Sequence, residues 1–244
     1  MSSQIFDELQ MTNPKRIIQK NNDLIEEFGK SFLIVARIFD CAQEFLSDYF
    51  LKVETEFKFP IPVKEIAQKC DFLIYEEELA NVDKMEMDNN GGRTTIARMQ
   101  MRERRMSLDS DQGKIAGTIT IDKNLSEYAK RFAVAHELGH YVLRTRNPIG
   151  PLFMEDSCPG PFAYAPDKEF LANEFAYALL LPYELVSKKK KEYEDQNQYN
   201  PVNYIDWITA LKDAAQMPEH YAILGYEEYK KYHFYLERKK EQQQ

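Results

Sequence analysis

Hydrophobic and polar positions along this chain fall into two periods, one helical and one extended. Leu125, Tyr128, Phe132, Ala135, Leu138 and Val142 recur every three to four residues, the spacing of one helix face. Asn124 and Glu127 stand as a capping pair at the start of that run. Residues 114–122 alternate instead. Ile115, Gly117, Ile119 and Ile121 face one way and Ala116, Thr118 and Thr120 the other, the pattern of a half-buried strand directly before the helix. Such a strand either walls a cleft, where a peptide can add to its edge, or lies inside a sheet with no free edge.

Two further strands are predicted. One covers residues 71–77, rich in Phe72, Leu73, Ile74 and Tyr75. The other covers residues 94–101 and follows the turn signal Asn89-Asn90-Gly91-Gly92. Pro62 opens a short helix through Lys69, and residues 1–55 read as helical, with Ile17, Ile18, Leu24, Phe28, Phe32 and Val35 among the apolar positions. Residues 167–181 are apolar on nearly every side after Lys168, as in a buried helix, and Pro182 stops it. A polar helix then leads to a linker at 195–198. Residues 202–238 are helical again, and 238–244 fray. Residues 101–112, holding Arg102, Arg104 and Arg105, read as an exposed loop. The stretch 145–166, with Pro148, Pro151, Pro159, Pro161 and Pro166, reads as a long loop that either covers a cleft or passively connects.

The helical run after residue 124 carries chemistry. His136-Glu137-Leu138-Gly139-His140 is a His-Glu-x-x-His motif. On a helix its two imidazoles stand one turn apart on one face, where they can share a zinc ion, and Glu137 sits about 100° further round, free to act on water. The chain holds only 4 histidines, so chance rarely places two of them around a glutamate on a capped amphipathic helix.

Catalytic zinc usually takes three protein ligands. A third histidine of the metzincin kind is ruled out, because Leu143 and Arg146 occupy the positions where that class needs glycine and histidine. His220 and His233 lie far along the chain among surface-like residues. The buried helix at 167–181 offers Glu169, with Asn173 one turn on along the same face and Glu174 about 140° away from Glu169. A carboxylate in so apolar a helix needs a metal or a partner. The competing reading makes Glu169 a solvated residue favoured in the first helical turn by the dipole.

The pairing of RFAVAHELGHYVL with EFLANEFAYALLLP resembles the ImmA/IrrE-type metallopeptidases, and FPIPVKEIAQKCDFLIYEEEL is similar to the helix and strand that open their domain. The resemblance spans residues 55–185. It implies an α+β fold: a small mixed or antiparallel sheet on a zincin-like helical core, with helical extensions on both sides. The expected division is 1–55, 56–185 and 186–244. It also implies one Zn²⁺ per chain on His136, His140 and Glu169, with Glu137 as catalytic base and Asn173 supporting a ligand, a set similar to that of the gluzincins. A cytoplasmic enzyme that cleaves a helix-turn-helix repressor, hence an anti-repressor, is the implied biology. The chain departs from the pattern in its long N-terminal helical stretch, and ALKDAAQMPEHYAILGYEEY only loosely echoes the usual C-terminal piece. A second oxyanion donor could come from Tyr141, Tyr164, Tyr177 or His220, and nothing in the sequence selects among them.

Composition narrows the rivals. A formal net charge of −8 argues against nucleic acid as the main partner, and Lys188 to Lys191, followed by Glu192 and Glu194, reads as a solvated face. The start of the chain shows no secretion signal, and the apolar stretch 32–50 is interrupted by Arg37, Asp40, Glu44 and Asp48, so no membrane span is expected. Cys41, Cys70 and Cys158 form no Cys-x-x-Cys pair and suit a reducing compartment. The rival from another class is a zinc-binding regulator that sequesters a repressor without cutting it. Glu137 speaks against that reading, since a structural site needs no base.

Overall fold

A glycine at positive φ opens the first helix among the described residues. Gly29 (φ 80°) precedes α1 (Lys30–Val53), and Glu54, left-handed at φ 51°, ends it by donating its N–H to the Phe50 carbonyl. The computed structural model describes residues 29–79, 97–101, 117–149, 167–197 and 203–241. The turn at 89–92, the loop at 102–112, Cys158 and Tyr164 lie outside them. Among the described residues are seven helices and a three-stranded mixed sheet, an α+β fold.

After α1 come α2 (Val63–Lys69), whose N-cap is Pro62, and β1 (Phe72–Glu77). Asp71 takes φ 64°, so the strand begins one residue later than its apolar pattern suggests. Next are β2 (Ala97–Met101) and β3 (Gly117–Asp122). β3 is the central strand, parallel to β1 and antiparallel to β2. The edge-addition reading therefore fails for residues 117–122, because β3 is paired on both sides, by β1 and by β2. The alternation itself is as expected: Ile119 and Ile121 are fully buried while Thr118 and Thr120 are half-buried on the other face.

α3 (Glu127–Arg146) follows directly. Its N-cap is Ser126, whose hydroxyl accepts from the Ala129 N–H, rather than Asn124. Asn124 lies in the preceding turn, where its backbone N–H donates to Asp122 Oδ1. Lys130, buried near the start of α3, donates to Glu76 at 2.7 Å and Glu127 at 3.0 Å and so ties the helix to β1.

α4 (Lys168–Leu180) is capped by the Asp167 carboxylate and buried from Leu171 onward except at Asn173. It is the hub of the fold: α1, α3 and α7 all pack on it. Phe45 of α1 meets Phe175 of α4 with ring centres 6.0 Å apart. Beyond Pro182 come α5 (Tyr183–Gln196), α6 (Tyr204–Ala215) and α7 (Glu219–Glu241). α5 runs through Asp195 and Gln196, so the expected linker starts later. α7 persists to Glu241, held by the Arg238–Glu241 and Lys240–Glu237 pairs, instead of fraying at 238. Gln216 in the left-handed region breaks 202–238 into two helices. The Tyr232 hydroxyl donates to Asp40 at 2.6 Å, which ties α7 to α1. No helix among the described residues is long and apolar enough to cross a membrane.

Candidate metal centre on two crossed helices

The helical period of α3 places His136 and His140 on one face, with ring centres 4.8 Å apart and planes at 85°. Their Nε2 atoms lie 3.1 Å apart. Glu169, in the first turn of α4, closes the group: Oε2 is 3.1 Å from His136 Nε2 and Oε1 is 3.4 Å from His140 Nε2. The three ligand atoms lie within 4.8 Å of one another. Donors about 2.0–2.1 Å from one tetrahedral centre stand roughly 3.3–3.4 Å apart, so the spacing suits a zinc ion. Two imidazole nitrogens facing each other at 3.1 Å would repel through their lone pairs unless a proton or cation sat between them.

Asn173 fixes the first of these ligands. Its Oδ1 lies 2.8 Å from His136 Nδ1. With the ring proton on Nδ1 and donated to that oxygen, the Nε2 lone pair is free to face the cluster. His140 is held below its ordinary pKa by burial first and by His136 second, which favours the neutral, metal-binding form. Glu169 is the most exposed member, with 48% of its side chain accessible against 12% for His136 and 23% for His140. The cluster therefore opens to solvent on the carboxylate side.

Glu137 is buried beside the histidines. Burial pushes its carboxyl up to about 7, the negative charge of Glu169 adds to that rise, and a backbone hydrogen bond from Met99 of β2 pulls the other way. A carboxyl poised near neutrality exchanges a proton readily with a water at the cluster.

Gly139, read at first only as part of the motif, sets the approach of the two helices. A Cβ there would lie 2.9 Å from the Ala172 carbonyl oxygen and 3.1 Å from its Cα. Only a residue without a side chain lets α4 come this close, and that closeness brings Glu169 within reach of the imidazoles. A glycine inside a helical pattern was the available signal.

Three of the four oxyanion candidates lie among the described residues. Tyr141 packs edge-on against Phe72 on the sheet side of α3. Tyr177 is buried against Phe132, and burial raises its pKa. His220 is exposed on α7 against Tyr221, and Tyr164 lies outside the described residues. Glu174 is buried, away from the ligand cluster, with its Oε2 lacking a hydrogen-bond partner. Burial and the nearby Glu228 raise its carboxyl to about 8.

Residues 93–205 match the family model of the IrrE N-terminal-like domain, Peptidase_M78. No curated protein matches the chain. The matched segment contains β2, β3 and α3 to α5, and with them His136, Glu137, His140, Glu169 and Asn173. Alongside the cluster these residues build, the match places residues 93–205 of this chain in the IrrE N-terminal-like (Peptidase_M78) family.

Proposed function

We propose that the chain is a zinc-dependent endopeptidase that hydrolyses one protein substrate, a helix-turn-helix repressor, and so acts as an anti-repressor. The observation that carries this reading is the convergence of His136, His140 and Glu169 at tetrahedral spacing with the buried carboxyl of Glu137 at their side. Zinc held by those three residues supplies Lewis acidity, lowering the pKa of a water to about 7 and polarising a carbonyl. Glu137 takes the water's proton on its carboxylate and returns it to the leaving amine. Asn173 keeps His136 in the tautomer whose Nε2 faces the cluster. Glu169 and the two imidazoles are partly open to solvent, so a peptide carbonyl can approach from the Glu169 side. The repressor as substrate rests on the family resemblance.

The test is co-expression of the chain with a helix-turn-helix repressor encoded beside it. Cleavage of the repressor by the wild type, and a fall of about 10²-fold or more in Glu137→Gln with zinc retained, is the expected result. Relief of repression without any cut would favour the sequestering regulator. Wild-type rates in Glu137→Gln would remove that residue from the chemistry.

A further inference from the structure

A cavity of about 700 Å³ lies between the second half of α1, the residues just after it, the start of α5 and the helix α7. Phe50, Phe57, Tyr183 and Tyr232 line it, together with Leu46, 1% exposed, and Leu51, 79% exposed, so the lining runs from the core to open solvent. Phe50 and Phe57 stand 5.0 Å apart, and Tyr183 meets Tyr232 edge-on at 5.6 Å. Both tyrosine hydroxyls are engaged elsewhere. Tyr232 donates to Asp40 at 2.6 Å and Tyr183 lies 2.8 Å from His233 Nδ1, which fixes the two rings. α7 is tied to α3 as well: Phe132 stacks on Tyr221 with ring centres 3.6 Å apart, and Arg131 donates to the carbonyls of Ala215 and Gln216 just before α7 begins. The cavity is therefore shaped by the fold before anything enters it.

Its place separates it from the metal centre. Tyr183 follows Pro182 beyond the end of α4, whereas Glu169 stands in the first turn of that 13-residue helix, about 20 Å away along its axis. Of the described lining residues only Tyr183 and Glu184 fall within residues 93–205, so most of the wall is built by elements outside the matched segment.

Two polar side chains narrow what the cavity would take. Gln43 lines it, yet its Nε2 is covered and has no hydrogen-bond partner among the described residues. A donor left unmade in a protein is a cost that an acceptor removes, and no hydrogen bond holds this nitrogen where it is, so the amide gains by turning to an acceptor in the cavity. The single charge among the described lining residues is the carboxylate of Glu184, which opposes an anionic head. A cation would find that carboxylate exposed in the first turn of α5, where water weakens the attraction, and would leave Gln43 without an acceptor.

We propose that this cavity is a binding site, separate from the metal centre, for a small uncharged molecule with an aromatic body and a carbonyl that accepts from Gln43. Small-molecule cavities span about 300–1,000 Å³ and pair apolar walls with a few polar groups that fix orientation. Four rings in the wall favour a flat aromatic body through edge and offset contacts. This inference does not rest on the zinc-peptidase reading.

The test uses prodan, a neutral naphthyl ketone whose fluorescence shifts as it leaves water, titrated into the full-length chain with and without zinc. Binding should saturate at one prodan per chain with the same affinity in both samples. Prodan should bind about three- to tenfold tighter than dimethylaminonaphthalene, which lacks the ketone, as one hydrogen bond allows. Gln43→Leu should erase that preference and still bind both compounds. Ser47→Trp sets an indole in the cavity from an exposed lining position, so it should abolish binding with the melting temperature kept. Anilinonaphthalene sulfonate, aromatic but anionic, should bind several-fold more weakly than prodan. No saturable binding by the wild type, or undiminished binding in Ser47→Trp, overturns the site. Equal affinity for the two naphthalenes, or for prodan and the sulfonate, overturns the assigned ligand chemistry. An affinity that changes with zinc overturns the separation from the metal centre. A dimer in sedimentation that prodan disperses would make a second copy of the chain the occupant instead.

Discussion

His136 and Asn173 face each other across the crossing of α3 and α4, with Nδ1 and Oδ1 2.8 Å apart. The amide does not touch the ion that the cluster would hold, yet it decides which imidazole nitrogen is available. Asn173→Ala is expected to weaken zinc binding by about 10- to 100-fold, while Asn173→Asp, which keeps the acceptor, should hold most of it. Competition against a chromophoric zinc chelator measures both. Equal affinities in wild type and Asn173→Ala would count against the positioning role.

Glu169 and Glu174 separate ligand from bystander on one helix. Glu169→Ala removes one of three converging donors and should abolish stoichiometric zinc after dialysis, by elemental analysis. Glu174→Ala should keep full zinc. Addition of zinc should raise the melting temperature of the wild type and not that of Glu169→Ala, because a ligand stabilises only the state that binds it.

Gly139→Ala sets two effects against each other. Alanine favours a helix interior over glycine by about 1 kcal/mol. Here its methyl would meet the Ala172 carbonyl oxygen at 2.9 Å, and that atom is backbone and cannot swing aside. Overpacking of this kind costs about 1–3 kcal/mol, so net destabilisation in urea is expected. Zinc affinity should fall as well, because α4 must retreat and take Glu169 with it. A stabilised variant with full zinc would show that the two helices have room to spare.

Glu174 gives the chain a pH dependence of known sign. Its folded pKa, about 8, lies above the ordinary 4.5. Between those values the native carboxyl keeps its proton while the unfolded one has lost it. Stability from this group is therefore fully present below about 4.5 and declines as pH rises toward 8, by at most about 1.4 kcal/mol for each pH unit. Glu174→Gln should flatten that decline and be the more stable protein at pH 8, with little difference at pH 4.5. Urea titrations at a series of pH values read this directly, and parallel curves for the two proteins would show that Glu174 titrates normally.

What was legible in the sequence was what depends on local period. The α3 register that puts His136 and His140 on one face, the buried character of α4 and the alternation of β3 all follow from spacings of a few residues. Glu169 was reachable through the resemblance and through Asn173 one turn on; the cost of a buried carboxylate did not single it out, since Glu169 stands exposed in the first turn of α4 and the buried acid of that helix is Glu174. Features that depend on how elements cross were out of reach. The central place of β3 follows from pairing with β1 and β2, strands distant in sequence. Ser126 caps rather than Asn124 because the helix starts at Glu127, which puts the Ser126 hydroxyl and not the Asn124 amide opposite the free N–H of Ala129. The stacking of Tyr221 on Phe132, 89 positions earlier in the chain, has no local signal at all.

The reach of Arg131 and Phe132 beyond residue 205 means that the unit of ancestry here is smaller than the unit of folding. A chain ended at residue 205 would strand a partly buried guanidinium without the Ala215 and Gln216 carbonyls and strip the ring cover from Phe132. One begun at residue 93 would take β1 from the side of β3 and α1 from the side of α4. In this chain the matched segment is therefore completed on both sides by elements that lie outside it. A substitution in those outer elements would reach the two helices that carry His136, His140 and Glu169 without touching any of the three.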